Sequence, residues 1–240
     1  MIAVVETFPQ RAAPIVASLE RVGVRDDIVV LPAHDPACPT HLGRDPRCMI
    51  VSGGPGSVME IGRNSPASDR LGRAAALLRG ALSRRVPVLG ICMGHQLLAY
   101  VEGGHVGRAR ALVRGVETVE CEPDPLFSGI DSALLGFEYH HDEVVALPVV
   151  GGHPARRIAS SATCRIEGFS IPGRLVWGLQ FHPEVDGQLA MTLLDKAALE
   201  SLHRAENQLL APSYEAARLT IFRNFLRLAE VTGASCRSPR

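Results

Sequence analysis

The chain has 240 residues, of which 46% are hydrophobic and 21% are charged, and its 25 basic and 25 acidic side chains cancel. This composition is ordinary for a globular protein, and a chain of this length can bury a substantial core. The balanced charge provides no basic field that would attract nucleic acid or anionic lipid. No apolar stretch approaches the ~20 residues needed to cross a bilayer. We therefore expect neither a nucleic-acid partner nor a membrane partner.

Six cysteines are spread along the chain without a CxxC pair. In a chain of this size, that spacing favours free thiols in a reducing compartment over a disulfide framework or a zinc site. The N-terminal sequence "MIAVVETFPQR" has no basic segment and no small-residue cleavage site, so it does not resemble a signal peptide. We expect a cytoplasmic protein.

The first half of the chain alternates short apolar segments with segments of helical periodicity. The predicted elements, in order, are a strand at "IAVVETF", a helix over 12–22, a strand over 27–31, a strand running into a glycine-rich turn over 48–57, a helix over 67–84, a strand over 86–91 and a helix that begins at Cys92. Strands that are apolar on both sides and alternate with helices are typical of a parallel sheet covered on both faces.

After Gly107 the pattern changes. The segments "VRGVETVEC", "RRIASSATCRIEGFSI" and "RLVWGLQF" predict strands joined by turns, which is typical of an antiparallel or mixed sheet. From 187 to 231 the pattern is helical again, with one break at 211–213. We expect one α/β domain over 1–240, in which 186–240 forms a helical extension.

Cys92 lies in "VLGICMGHQLL", directly after an apolar strand and between Gly90 and Gly94. This spacing is that of a nucleophile elbow, a sharp strand-to-helix turn that needs small neighbours. Such a turn places the sulfur at a helix N-terminus, which favours the thiolate. A buried, inert cysteine beside a packing glycine explains the same motif equally well. The motif alone leaves the choice open.

A second stretch, "WGLQFHPEV", is an apolar strand that ends on His182 and Glu184. Residues i and i+2 of an extended chain project to the same side. The carboxylate could therefore orient the imidazole, which would leave its other ring nitrogen to exchange a proton with Cys92. Solvated side chains at an exposed strand end are the alternative, and the presence of an elbow cysteine weakens it.

A third stretch, "VSGGPGS" (51–57), follows a predicted strand. Backbone N–H groups in such a glycine-rich turn can stabilise developing negative charge as an oxyanion hole. A tight turn of no chemical significance is the alternative. A phosphate-binding loop would need a Gly-Lys-Ser/Thr ending, which is missing.

In this order, "SGGPGS", "GICMGHQLLAYVEGGHV" and "GLQFHPEV" resemble the class I glutamine amidotransferases across residues 49–185, and most closely the stand-alone members similar to GMP synthase. The resemblance implies a flavodoxin-like, doubly wound fold of three layers with extra antiparallel strands. It also implies that Cys92 is the nucleophile, His182 the general base and acid, and Glu184 the residue that orients His182. No metal or organic cofactor is implied for this half-reaction.

The resemblance further implies four residues that contact the substrate. The backbone amides of Gly54 and Met93 match the oxyanion-hole positions, and Gln96 matches a position that contacts glutamine. His140 matches a histidine that lines the glutamine pocket, although Tyr139 and His141 stand beside it where the family has a small polar residue and a glycine. A polar pair at a strand edge is the alternative for His140 and His141.

The expected function is hydrolysis of glutamine, with ammonia passing to a separate synthetase or ligase subunit. After "HPEV" there are about 55 residues, too few for a synthetase domain. A cysteine hydrolase of γ-glutamyl amides is the first alternative, because the residues beside His140 depart from the family pattern. A catalytically silent binding or regulatory protein is the second alternative.

Overall fold

The computed structural model describes residues 1–25, 27–194 and 209–235. The strands are β1 (Ile2–Glu6), β2 (Ile28–Pro32), β3 (Cys48–Val51), β4 (Val88–Ile91), β5 (His105–Cys121), β6 (Ala133–Ala146), β7 (Val149–Val150), β8 (His153–Pro154), β9 (Arg156–Ser160), β10 (Gly168–Ser170) and β11 (Val176–Leu179). The α-helices are α1 (Ala13–Arg21), α2 (Pro66–Ser83), α3 (Met93–Val101), α4 (Gly187–Leu193) and α5 (Pro212–Ser235).

The described residues form one large sheet in the strand order β2-β1-β3-β4-β11-β10-β9-β5-β6, in which β2, β1, β3, β4 and β11 are parallel. The strands β1, β3, β4 and β11 are buried throughout, as expected for a parallel sheet with helices on both faces. This is the order of a doubly wound fold, whose ligands bind at the carboxyl ends of the strands.

Two apolar cores lie on opposite faces of the parallel strands. On one face, α2 and α3 contribute Leu71, Leu78 and Leu97. On the other face, Ile15 of α1 packs in the same core as Phe222 of α5. The α5 helix therefore covers the sheet rather than extending away from it. The described structure thus has three layers, and the predicted fold class is confirmed.

A long antiparallel ribbon of β5 and β6 completes the sheet. Its register shifts between Arg108 and Val113, which displaces 109–112 from the ladder. The strand β6 was not predicted from the sequence, because "GFEYHHDEV" carries charged and histidine side chains at alternate positions that are buried in the structure.

The predicted C-terminal helices are described only in part. The first begins at Gly187 and ends at Leu193, and the remainder of the predicted span from 195 to 208 lies outside the described residues. The second is α5, in agreement with the prediction. Within the described ranges, none of the helices is both long and apolar enough to cross a membrane. Cys38, Cys92, Cys121 and Cys164 are free thiols.

Candidate active site

Cys92 connects the end of β4 to the start of α3 with φ 50° and ψ −103°. A non-glycine residue with positive φ is strained, and such strain concentrates at functional sites. The strand β4 lies between β3 and β11 and so has a parallel neighbour on each side. The Cys92 sulfur is therefore held at the carboxyl edge of the sheet and at the N-terminus of α3, the edge at which ligands bind in open α/β sheets.

The two glycines beside Cys92 are required by close backbone contacts. A side chain at Gly90 would place its Cβ 2.5 Å from the carbonyl oxygen of Gly94. A side chain at Gly94 would overlap the carbonyl oxygen of Val51, at the end of β3. The elbow is therefore packed directly against the neighbouring strand, and its geometry requires glycine, which has no side chain, at positions 90 and 94.

His182 and Glu184 lie in the turn that follows β11. The His182 backbone N–H donates to the carbonyl of Phe137 on β6 (2.9 Å), which fixes the residue between two strands. Its Nδ1 lies 2.8 Å from Oε1 of Glu184. The prediction that the strand itself extends to His182 is wrong, because β11 ends at Leu179. The two side chains meet through a turn instead, and both are mostly buried.

The electrostatics of His182 favour its protonated form. Burial by itself lowers the pKa of the imidazole, but the charges of Glu184 and of the Cys92 sulfur outweigh it and raise the pKa well above the usual value. Glu184 holds Nδ1, so Nε2 is left to interact with Cys92. The arrangement thus places a protonated imidazole, able to act as a general acid, beside the cysteine.

The peptide between Gly53 and Gly54 is held in one orientation by two hydroxyl groups. Thr7 Oγ1 donates to the Gly53 carbonyl (2.5 Å), and Ser52 Oγ donates to the same oxygen (2.9 Å). In a trans peptide the C=O and the following N–H point in opposite directions. Because the carbonyl is turned toward Thr7, the Gly54 N–H points away from it. Sequence reasoning missed Thr7, since nothing in the sequence relates it to Ser52.

Met93 supplies the second N–H group that is predicted for the oxyanion hole, after that of Gly54. It is the first residue of α3, so its N–H has no partner within the helix. Gly53, next to Gly54, packs against the catalytic candidates: a Cβ there would lie 2.9 Å from His182 Cε1 and 3.4 Å from Cys92 Cβ. The structure thus brings the glycine-rich turn, the elbow and His182 into contact.

A cavity of about 810 Å³ opens above this arrangement. Its lining includes every site residue predicted from the sequence, namely Gly54, Cys92, Met93, Gln96, His140, His182 and Glu184. Gln96 and His140 are both buried, and both hydrogen bond to the carbonyl oxygen of Asp142. The alternative that His140 belongs to a polar, solvated pair at a strand edge does not fit, because the residue is only 4% exposed.

Tyr139 and Leu112 also line the cavity. Tyr139 is 48% exposed there, and its carbonyl oxygen lies 3.9 Å from Cys92 Sγ. The Arg114 guanidinium carbon lies 5.4 Å from the centre of the Tyr139 ring. Leu112, which is displaced from the ladder with the rest of 109–112, lines the same region, as does His141.

Comparisons with known proteins agree with one another. The family model described as "Glutamine amidotransferase class-I" matches residues 5–200. A subunit of the glutamine-hydrolyzing GMP synthase of Saccharolobus solfataricus is 37% identical over 160 residues, which covers 66% of this chain and 77% of the relative. The subunit of the same name from Pyrococcus abyssi is 32% identical and covers 77% of this chain and 89% of the relative.

Among solved structures, a glutamine amidotransferase from Thermotoga maritima superposes with a TM-score of 0.69. The match covers 95% of this chain and 96% of the other, at 21% sequence identity. At this identity the likeness concerns the fold.

Proposed function

We propose that this chain, which belongs to the class I glutamine amidotransferase family, hydrolyses the side-chain amide of glutamine and releases ammonia for a separate acceptor enzyme. The observation that carries the proposal is that the strained Cys92 elbow and the His182–Glu184 pair lie against the same residue, Gly53, and line one cavity. A cysteine, a base and a group that orients the base are the parts that thioester chemistry needs.

The proposed reaction has two steps. The Cys92 thiolate attacks the amide carbon, and the N–H groups of Gly54 and Met93 stabilise the oxyanion. His182 gives its Nε2 proton to the leaving nitrogen, so ammonia departs and a γ-glutamyl thioester remains. His182 then takes a proton from water, the resulting hydroxide attacks the thioester, and glutamate is released. These side chains and amides suffice for both steps without a metal or an organic cofactor.

The acceptor of the ammonia is proposed to be a synthetase on another chain. The proposal is supported by the two relatives above, each of which is named as one subunit of a glutamine-hydrolyzing GMP synthase. We further propose a reducing, cytoplasmic compartment, in keeping with the free thiols of Cys92 and Cys164.

A direct assay tests the proposed function. The purified protein is incubated with glutamine, alone and with candidate synthetase subunits, and glutamate and ammonia are measured. We expect the two products in equal amounts. If Cys92 remains reactive toward a small alkylating agent but no glutamate forms under any of these conditions, the protein is a silent homologue and the proposal fails.

Glu184→Gln is expected to move the alkaline limb of the kcat profile to lower pH and to reduce kcat by roughly 10²-fold. The reason is that the Glu184 carboxylate raises the pKa of His182. Without it, the imidazolium loses its proton at lower pH, so the general acid for the leaving ammonia is lost earlier. Steady-state rates between pH 6 and 10 measure the shift, with Glu122→Gln as the matched control, since Glu122 pairs with Arg157 away from the cavity. An unchanged limb would argue against the assigned role of Glu184.

Thr7→Val is expected to lower kcat by about 10-fold or more while KM changes little. Valine has nearly the same shape but cannot donate to the Gly53 carbonyl, so the Gly53–Gly54 peptide is free to turn and the oxyanion loses a fixed donor. The matched control is Thr220→Val, because Thr220 donates to a helix carbonyl on the exposed side of α5. A change in KM rather than in kcat would place Thr7 in ground-state binding instead.

A second candidate substrate class is favoured by the size of the cavity. At about 810 Å³ it lies toward the upper end of the range for pockets that hold drug-sized ligands, ~300–1,000 Å³, and it is much larger than one amino acid. The exposed Tyr139 ring and Leu112 line it. These features suit a γ-glutamyl amide with an apolar or aromatic amine.

A substrate pair distinguishes the two classes. The ratio of kcat/KM for γ-glutamyl anilide to that for glutamine is compared between the wild-type protein and Tyr139→Ser. If the larger class is preferred, the ratio exceeds one and falls at least several-fold in the variant. A ratio below one that Tyr139→Ser leaves unchanged would assign the protein to free glutamine.

A further inference from the structure

Two carboxyl groups that the proposed reaction does not use are buried beside the cavity. Glu138 on β6 and Glu167 before β10 are each 0% exposed. With His140 they form a cluster that we call the inner acid cluster (Glu138, His140 and Glu167). A buried carboxylate is costly unless it is paired, so such groups retain a proton when they can. The contacts of this cluster and its burial together indicate where its protons lie.

The hydrogen on His140 is located by its contacts. Nδ1 lies 3.0 Å from the carbonyl oxygen of Asp142. A carbonyl oxygen only accepts, so Nδ1 carries a hydrogen. Nε2 lies 3.3 Å from Oε2 of Glu138. A neutral ring with its hydrogen on Nδ1 has only a lone pair at Nε2, which accepts from a carboxylic acid, whereas a charged ring donates to a carboxylate. Among the described residues, Nε2 has no other hydrogen-bond partner.

The electrostatics of the cluster favour this neutral arrangement. Burial is the largest influence on each group: it lowers the pKa of His140 and raises the pKa of Glu138 to about 8. Burial and the neighbouring Glu138 charge raise the pKa of Glu167 to about 9. Ser161 Oγ donates to Glu167 Oε1 at 2.7 Å. Near neutral pH, the groups are therefore a neutral imidazole and two carboxylic acids.

The inner acid cluster is linked to the proposed substrate contact Gln96. The Asp142 carbonyl accepts both from His140 Nδ1 and from Gln96 Nε2 (2.6 Å), and Gln96 Nε2 also donates to Gln180 Oε1 (3.1 Å). These two acceptors fix the orientation of the Gln96 side-chain amide. In the reverse orientation, Gln96 Oε1 would face the Asp142 carbonyl oxygen and Gln180 Oε1, and neither can donate a hydrogen. Gln96 Oε1 is left buried with no protein partner, and Gln96 lines the cavity.

We propose that Glu138 is a positioning residue that acts as a carboxylic acid and donates to His140 Nε2. The oriented His140 ring donates from Nδ1 to the Asp142 carbonyl, and this carbonyl holds the Gln96 amide so that Gln96 Oε1 can accept from the substrate. The proposal rests on the proposed glutamine hydrolysis and deepens it. Glu138 does not touch the substrate in this account. It acts through His140, which lines the cavity. The Glu138 charge raises the pKa of Glu167, so the two neighbouring carboxyl groups do not both ionise near neutral pH.

A pH dependence follows from this assignment. When Glu138 ionises, it can no longer donate to Nε2, and His140 and Gln96 lose their fixed orientation. KM for glutamine should therefore rise above about pH 8, whereas the alkaline limb of kcat belongs to His182. Other titratable or charged groups face the inner acid cluster from each neighbouring element. They are His95 of α3, Glu117 of β5, Asp142 (paired with Arg108) and Glu143 of β6, Cys164 before β10, and His182 after β11.

The test compares Glu138→Gln with Glu138→Leu. Glutamine keeps a neutral donor toward His140 Nε2, so its KM at pH 7 should stay within about twofold of the wild-type value and the rise above pH 8 should disappear. Leucine leaves Nε2 unpaired, so KM should increase about 10-fold or more at every pH, with a smaller change in kcat. Equal increases of KM in both variants, or no increase with leucine, would overturn the proposal.

Nitrogen NMR of His140 gives a readout that does not depend on turnover. The wild-type ring should be the neutral Nδ1–H form at pH 7 and should change only as Glu138 ionises, and in Glu138→Gln it should remain so to higher pH. A doubly protonated His140 at pH 7 contradicts the proposal even if the enzyme is active. If the wild-type protein hydrolyses no glutamine but His140 titrates as described, the proposed function fails and the proton assignment stands. Thermal unfolding of each variant identifies a loss of fold.

Discussion

Cys92→Ala should reduce the rate of glutamine hydrolysis by about 10⁴-fold or more, because it removes the atom that forms the thioester. The loss should appear in kcat, since the cavity walls and the oxyanion donors remain. Any residual rate would come from water attacking a bound amide that Gly54 and Met93 still polarise. Glutamate release by purified protein, measured at saturating glutamine, gives the comparison.

Cys38→Ala is the matched control, because Cys38 is also a free, buried thiol but does not line the cavity. Its activity should equal that of the wild-type protein. If Cys92→Ala kept a tenth or more of the wild-type rate, the nucleophile would be another group, and the assignment of the site would be wrong.

Gly94→Ala should cost both stability and activity. The added Cβ would overlap the Val51 carbonyl oxygen and lie 2.9 Å from the Val51 carbonyl carbon. Since both partners are backbone, either α3 or β3 must move, and overpacking of this kind destabilises by about 1–3 kcal/mol. The movement displaces the Cys92 sulfur and the Met93 N–H together, so kcat should fall by about 10²-fold or more. Chemical denaturation and steady-state kinetics measure the two effects.

Gly72→Ala is the control for helical glycines. Gly72 lies within α2, and a Cβ there meets nothing within 4 Å. This substitution should leave kcat unchanged and raise the free energy of unfolding by about 0.5–1 kcal/mol, since alanine is the better helix former. A Gly94→Ala protein that is as stable and active as Gly72→Ala would contradict the steric account of the elbow.

The parallel part of the fold could be predicted from the sequence because each strand is a short apolar run. The strands "IAVVE" and "VLGI" are buried on both sides, so their composition alone identifies them. The strand β6 could not be identified in this way. Its inward side chains include Glu138, His140 and Asp142, which are polar and yet buried, and α3 packs against this strand.

Those parts of the site that are encoded in local sequence motifs could be predicted from the sequence. The spacing of Gly90, Cys92 and Gly94 indicates a steric requirement that the structure shows in the contact with Val51. The contribution of Thr7 is different, since its hydroxyl reaches the Gly53 carbonyl from a position 46 residues away. Tertiary contacts of this kind leave no periodic signal. The contact between Glu138 and Glu167 was missed for the same reason.

The most direct test of the account is covalent trapping at Cys92. An electrophilic analogue of glutamine, such as a diazo-ketone, is incubated with the protein near neutral pH, and the intact mass and the modified peptide are determined by mass spectrometry. The account predicts one adduct, on Cys92, that glutamine prevents and that His182→Ala slows strongly. An adduct on another cysteine, or no adduct while iodoacetamide still modifies Cys92, would contradict it.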